Sequence, residues 1–250
     1  MKIGAQFYTI RDFCKTQDDL KESLKKVADI GYKYVQISGT CNYDPLWLKK
    51  QLDENGLKCV ITHIPVDRLK NDLENVISEH NIIECKHIGL GWNKFEENEC
   101  GNQIDEFIKT YKPITQKMKS NGKLFMYHNH GMEFFKYNDK VVLEHLKDNF
   151  EADELGFTLD TYWVQVGGAN PADYLEKLKG RVPCIHLKDY AYDRKMAVLG
   201  EGNINFDKVF EKAKYAGTKY MLVEQDECNG ENPFDCLKRS YKFLKSRGFE

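Results

Sequence analysis

Short apolar runs and amphipathic stretches alternate along the whole chain. The runs are Lys2–Phe7, Tyr34–Ile37, Lys58–His63, Lys86–Gly89, Leu124–His128, Phe157–Asp160, Val182–Leu187 and Tyr220–Glu224, all rich in Ile, Val, Leu, Phe or Tyr. Runs this short and this continuous predict strands covered on both faces. Between them the apolar positions follow the helical period. Asp18–Ile30 places Leu20, Leu24, Val27 and Ile30 on one face and stops at Gly31. Asp44–Asn55 opens with Asp-Pro and closes with Asn-Gly, and Arg68–His80 sets Leu69, Leu73, Val76 and Ile77 on one stripe. Gln103–Ser120 is the longest predicted helix, and Pro113 in its middle predicts a kink or a break. Lys140–Asn149, Asn170–Leu178, Asn205–Ala216 and Asn232–Ser246 complete the series.

Eight strands, each followed by a helix, predict one α/β domain over residues 1–250, a (β/α)8 TIM barrel. The length matches the roughly 250 residues that such a barrel uses to build one core. An open doubly wound sheet fits less well, because the first turn has no glycine-rich fingerprint. The longest connections are Asn129–Asp139 and Asp189–Asn205. Long loops at the carboxyl edge of a barrel tend to carry function. The second, with Gly200 and Gly202 as hinges, is expected either to fold over a substrate as a lid or to be a static surface loop packed by Met196, Val198 and Leu199.

Charge narrows the partners. A net charge of −2 and a pI near 6.4 offer no basic footprint for nucleic acid. No apolar run approaches the roughly 18 residues of a membrane helix. The opening MKIGAQFYTIRD is too polar for a signal peptide and reads as a first strand, so a cytoplasmic protein is expected. The eight cysteines are scattered without a CxxC pair and are expected to be reduced.

In a barrel the chemistry lies at the carboxyl ends of the strands. The segment LGFTLDTYWVQVGGANPADYLEKLKGRVPCIHLKD is a β-α-β unit whose strands end at Asp160 and near His186. Parallel strands deliver both residues to one edge of the sheet, as a metal pair, an acid/base pair or a buried hydrogen bond. Reading the strand ends in order continues the polar ring: Gln6, Gln36, His63, His128-Asn129-His130 with Glu133, Asp160, His186 with Lys188, and Glu224 with Asp226. Asp160, His186 and Glu224 offer one nitrogen and two carboxylates from successive strands, a set suited to one Mn²⁺, Mg²⁺ or Co²⁺ ion, with Zn²⁺ as a further option. The fourth ligand is expected from YHNHGMEF: Glu133, which would add a third anionic oxygen, or His128. Glu224 and Glu133 would then move the proton, with Lys188 holding or protonating an oxygen of the intermediate. Gln6, His63, Trp92, His128 and His130 are expected to contact the substrate. Tyr8, Tyr127 and Trp163 would add aromatic faces. His80, His87 and His145 read as structural or surface residues. No GxGxxG or GxxxxGK[ST] phosphate cradle is present.

The motifs IGAQFYTIRD, YHNHGMEF, LDTYW, IHLKD, LGEGNINF and LVEQDE, in that order, resemble the sugar phosphate isomerase/epimerase family of xylose isomerase-like barrels. The resemblance runs from the first strand to the last. It implies a divalent metal on a Glu, Asp, His, Glu quartet, with Asp160, His186 and Glu224 as three of its members. Many relatives carry the first Glu at the end of strand five, where this chain has His128. It implies a metal-dependent isomerase or epimerase of a small carbohydrate that works through an enediolate. A lyase or dehydratase acting on a keto-sugar or cyclitol is the alternative, since the same intermediate can expel a hydroxyl. An abasic-site endonuclease shares the barrel but needs about three metals and a basic groove, which this composition does not offer. A non-catalytic subunit on the same scaffold and a homo-oligomeric state both stay open.

Overall fold

The computed structural model describes the full chain, Met1–Glu250. Eight parallel strands close into a barrel: β1 (Lys2–Gln6), β2 (Tyr34–Ile37), β3 (Lys58–His63), β4 (His87–Leu90), β5 (Leu124–His128), β6 (Leu155–Asp160), β7 (Cys184–Leu187) and β8 (Tyr220–Val223). Each pairs with its neighbour in chain order, and β8 closes on β1 with Lys2 opposite Tyr220. No helix is long and apolar enough to cross a membrane. All eight cysteines are free, as expected, and six are buried.

The outer helices start and stop where local chemistry directs. Helix α1 (Gln17–Ile30) opens on a capping box in which Thr16 Oγ1 accepts from Asp19 N–H and Asp19 accepts from Thr16 N–H. It ends at Gly31, whose φ of 118° only glycine adopts easily. Asp44, Asn170, Asn205 and Asn232 cap α2 (Pro45–Glu54), α8 (Pro171–Lys177), α9 (Phe206–Ala216) and α10 (Pro233–Ser246).

Three elements differ from the sequence expectation. The helix expected at Arg68–His80 is two helices, α3 (Val66–Asn71) and α4 (Leu73–Ile82). Asp72 between them leaves helical geometry, and its carboxylate accepts from Arg68 at 2.7 Å and from Asn75 at 2.6 Å. Helix α5 (Cys100–Ser120) runs unbroken through Pro113. Pro113 and Lys109 are both exposed, so the carbonyl that loses its N–H partner is left to water. An unexpected short helix, α7 (Thr161–Val166), follows β6 directly. Helix α6 (Val142–Asn149) completes the set, starting just after a small hairpin of Lys136–Tyr137 with Lys140–Val141.

The barrel is filled from the bottom. Val60, Ile61, Met126, Cys184 and Leu222 form a buried cluster of their own, with Tyr34, Leu124 and Tyr220 packed against it. Side chains alternate across a strand, so the next inward positions are Gln36, His63, His128, His186 and Glu224. An irregularity between Val35 and Gln36 shifts the β2–β3 register by one residue and keeps Ile61 and His63 on that inner face.

Candidate metal centre

Four buried side chains meet above the apolar plug. His128, Asp160, His186 and Glu224 each present one ligand atom, and these atoms lie within 4.8 Å of one another. Every one is oriented by a partner on its other atom. His128 Nδ1 donates to the Gly91 carbonyl at 3.0 Å, and His186 Nε2 donates to Gln36 Oε1 at 2.6 Å. Both partners can only accept, so His128 Nε2 and His186 Nδ1 are the ring nitrogens turned toward the cluster, each able to offer a lone pair once it carries no proton. Asp160 Oδ1 accepts from Trp163 N–H at 3.0 Å, capping α7, and Asp160 N–H is held by Asn129 Oδ1 at 2.9 Å. Glu224 Oε1 accepts from Gln6 Nε2 at 3.1 Å.

The remaining atoms face a common space. His128 Nε2 is 3.2 Å from Asp160 Oδ2, and His186 Nδ1 is 3.8 Å from the same oxygen and 2.7 Å from Glu224 Oε2. His186 Nδ1 and Glu224 Oε2 are buried without an aligned hydrogen bond. Ligands about 2.0–2.3 Å from one ion stand roughly 2.8–4.6 Å apart. The 3.2 and 3.8 Å pairs lie inside that range, and the 2.7 Å His186–Glu224 pair needs to open only slightly. The orphaned atoms, the spacing and the two-nitrogen, two-oxygen donor set therefore fit a single divalent ion.

The charges are arranged around this point. Burial opposes ionisation of Asp160 and Glu224, but Lys188 and the surrounding imidazoles hold both carboxyls well below the usual range. Burial likewise opposes the His186 cation, yet Glu224 and Asp160 raise it to about 9. An ion entering here must displace that proton. His63 and His130 are instead kept neutral, chiefly by burial. His130 is lowered to about 3 and His63 is also pushed down.

Above the cluster opens a cavity of about 610 Å³. Gln6, His63, His128, His130, Lys188, Glu224, Tyr8, Trp92 and Trp163 all line it. Trp92 is half exposed at the rim, while Trp163 lies beside the His130 ring at 5.0 Å. His63 is cradled by Gly89 and Gly91: a Cβ at Gly89 would stand 2.9 Å from His63 Cδ2, and one at Gly91 2.8 Å from His63 Nδ1.

Two expected residues lie elsewhere. Glu133 is fully buried in a 3₁₀ turn, outside the four-residue cluster. Its carboxylate accepts from Tyr127 Oη at 2.5 Å and from His130 N–H at 2.8 Å. Of the two candidates from YHNHGMEF, the cluster contains His128. Tyr127 points into the core against Phe107 and is no cavity wall. Burial, offset in part by Tyr127, raises Glu133 to about 7. His80 and His87 are buried on backbone carbonyls, and His145 bonds the Tyr137 carbonyl at the surface.

The loop Asp189–Asn205 is tied down at its base. The Asp189 carboxylate accepts from the N–H groups of Tyr190, Gly200, Gly202 and Ile204. Met196, Val198 and Leu199 are buried. That packing is the one expected of the static loop, the alternative to a lid.

A family model described as xylose isomerase-like TIM barrel matches residues 24–247. The chain is similar to inosose dehydratase of Clostridium beijerinckii, with 23% identity over 217 residues, 78% of this chain and 67% of that one. It is 39% identical over 80 residues to a protein of Methanocaldococcus jannaschii, a match spanning 30% of this chain and only 27% of that relative's length. The fold superimposes on a sugar phosphate isomerase/epimerase from Parabacteroides distasonis with a TM-score of 0.83 and 22% identity, covering 98% of this chain and 93% of the other.

Proposed function

The chain belongs to the xylose isomerase-like TIM barrel family, and we propose that it is a divalent-metal-dependent carbohydrate isomerase or epimerase, with His128, Asp160, His186 and Glu224 as the metal ligands. The observation that carries this reading is that each of the four has one atom held by an orienting partner and the other left facing the shared space. Ligand sets are commonly fixed by outer partners in this way. Two imidazoles and two carboxylates suit Mn²⁺, Co²⁺ or Zn²⁺ better than Mg²⁺, which prefers oxygen.

When bound, the ion would polarise a substrate carbonyl and acidify the adjacent C–H. Glu224 would take that proton from one side. The neutral imidazoles of His63 and His130, with Nε2 and Nδ1 unpartnered, can carry a proton on the other. Glu133 supports His130 through its backbone instead of reaching the substrate. Trp92, Trp163 and Tyr8 offer flat faces for the C–H side of a sugar.

Lys188 is the only Lys or Arg on the cavity wall, and three carboxylates already surround it. No cation is left for a phosphate, so the substrate class proposed is an uncharged ketose, keto-sugar or cyclitol. A dehydratase on the same substrates is the second reading, favoured by the similarity to the C. beijerinckii inosose dehydratase. Both share the first proton abstraction. Incubating Mn²⁺-loaded protein with a panel of ketoses and inososes in D₂O separates them. Deuterium beside the carbonyl with an epimer or isomer supports the first reading, and loss of water supports the second. No exchange and no product across the panel contradicts both.

A further inference from the structure

Lys188 occupies the position of a cation. Its ammonium, only 1% exposed, lies 3.1 Å from Asp160 Oδ2, 3.2 Å from Glu224 Oε2 and 3.0 Å from Asp226 Oδ2. The first two oxygens are those assigned to the ion. An ammonium and a divalent ion that share both oxygens repel strongly, because like charges a few ångströms apart are poorly screened where water is excluded. That repulsion favours release of Asp160 and Glu224 by Lys188 when an ion enters.

The third contact shows where it goes. Asp226 is outside the four-residue cluster, on the cavity wall. Its Oδ1 is buried and has no hydrogen-bond partner, so an ammonium already on Oδ2 can gain a second acceptor. The Asp226 carbonyl is held by Arg11 Nη1 at 2.9 Å, which fixes the turn that carries it.

We propose that Lys188 is a resident counter-cation of the ion-free cluster, and that Asp226 is the seat to which it withdraws when the divalent ion binds. The proposal rests on the metal reading of the cluster given above. It makes Asp226 a positioning residue that acts on metal affinity through Lys188, and not only by adding negative charge.

A double-mutant cycle on Mn²⁺ affinity, read by competition with a chromophoric chelator, separates the two routes. Asp226→Asn should weaken binding about tenfold in the otherwise natural chain. Lys188→Met should tighten binding, and in that background Asp226→Asn should change affinity less than threefold. Equal weakening in both backgrounds would overturn the proposal and reduce Asp226 to a remote charge. If the natural chain binds no Mn²⁺, Co²⁺ or Zn²⁺, the metal reading fails and this inference with it. If ions bind but Asp226→Asn has no effect, only this inference fails. A crystal structure of the Mn²⁺-loaded natural chain gives a readout that does not depend on Lys188→Met folding. The Lys188 ammonium should bond both Asp226 oxygens. An ammonium still within hydrogen-bond distance of both Asp160 and Glu224 would overturn the proposal.

Discussion

Two layers of the same barrel are built from alternate residues of the same strands and behave oppositely. In the lower layer Met126, Cys184 and Leu222 pack into an apolar plug. Two residues further along each strand, His128, His186 and Glu224 stand in the upper layer, where His186 Nδ1 and Glu224 Oε2 lack an aligned hydrogen bond. Both layers are buried, so burial alone does not distinguish them. The difference is in what each buried atom requires. An apolar atom is satisfied by close packing, whereas a buried imidazole or carboxylate needs a hydrogen bond, a counter-charge or an ion. The plug is therefore complete as it stands, while the layer above it is held by Gln6, Gln36, Gly91 and Asn129 in an arrangement that suits a bound cation.

Separate perturbation of the layers sharpens that contrast. Leu222→Ala should cost about 2–5 kcal/mol of stability, as buried Leu-to-Ala changes do, measured by denaturant unfolding of the ion-free protein. Its metal affinity should stay within a few-fold of the natural chain. A Leu222→Ala chain that keeps its stability but loses the ion would mean that the layers are not independent.

Next in size is Glu133. Its folded value is raised to about 7 from an unfolded value near 4.3. The protonated form is thus favoured in the fold. Stability from this group is full below about pH 4 and is lost as pH rises through about 7. Glu133→Gln should remove that loss, gaining up to about 3 kcal/mol over the natural chain at pH 8 and little at pH 4. Melting curves at both pH values check this. A Gln variant that melts lower at pH 8 would show that the carboxylate is stabilising as an anion.

Smaller still is the effect of an orienting partner. Gln36→Ala removes the acceptor that sets the His186 tautomer and should weaken metal binding about 10–100-fold, with a modest change in melting temperature. Unaltered affinity in a chelator competition would argue that His186 is oriented by packing alone.

Much of this was legible in the chain. Apolar runs bounded by turn residues located all eight strands, because a strand covered on both faces must be apolar almost throughout. Residue type at the strand ends singled out Asp160, His186 and Glu224, three of the four that the fold brings together. The choice between His128 and Glu133 turned on a finer signal. Alternation from Met126 puts His128 inward on β5, whereas Glu133 follows a turn, where period two no longer sets direction. The partner roles of Gln36 and Asn129 were not legible, since each bonds a residue that pairing around the barrel brings near: Gln36 to His186 and Asn129 to Asp160. The break at Asp72 and the unbroken helix at Pro113 depend on a side-chain bridge from Arg68 and on solvent exposure, and neither is encoded in local propensity.

The central claim is that the upper layer holds one divalent ion through His128, Asp160, His186 and Glu224. It is tested most directly by elemental analysis of chelator-stripped protein reloaded with Mn²⁺ or Zn²⁺ and freed of excess ion, comparing the natural chain with Asp160→Ala. The account predicts one ion per natural chain and almost none in the variant, with circular dichroism showing the variant folded. A full complement of ion in Asp160→Ala, or none in the natural chain with either metal, would contradict it.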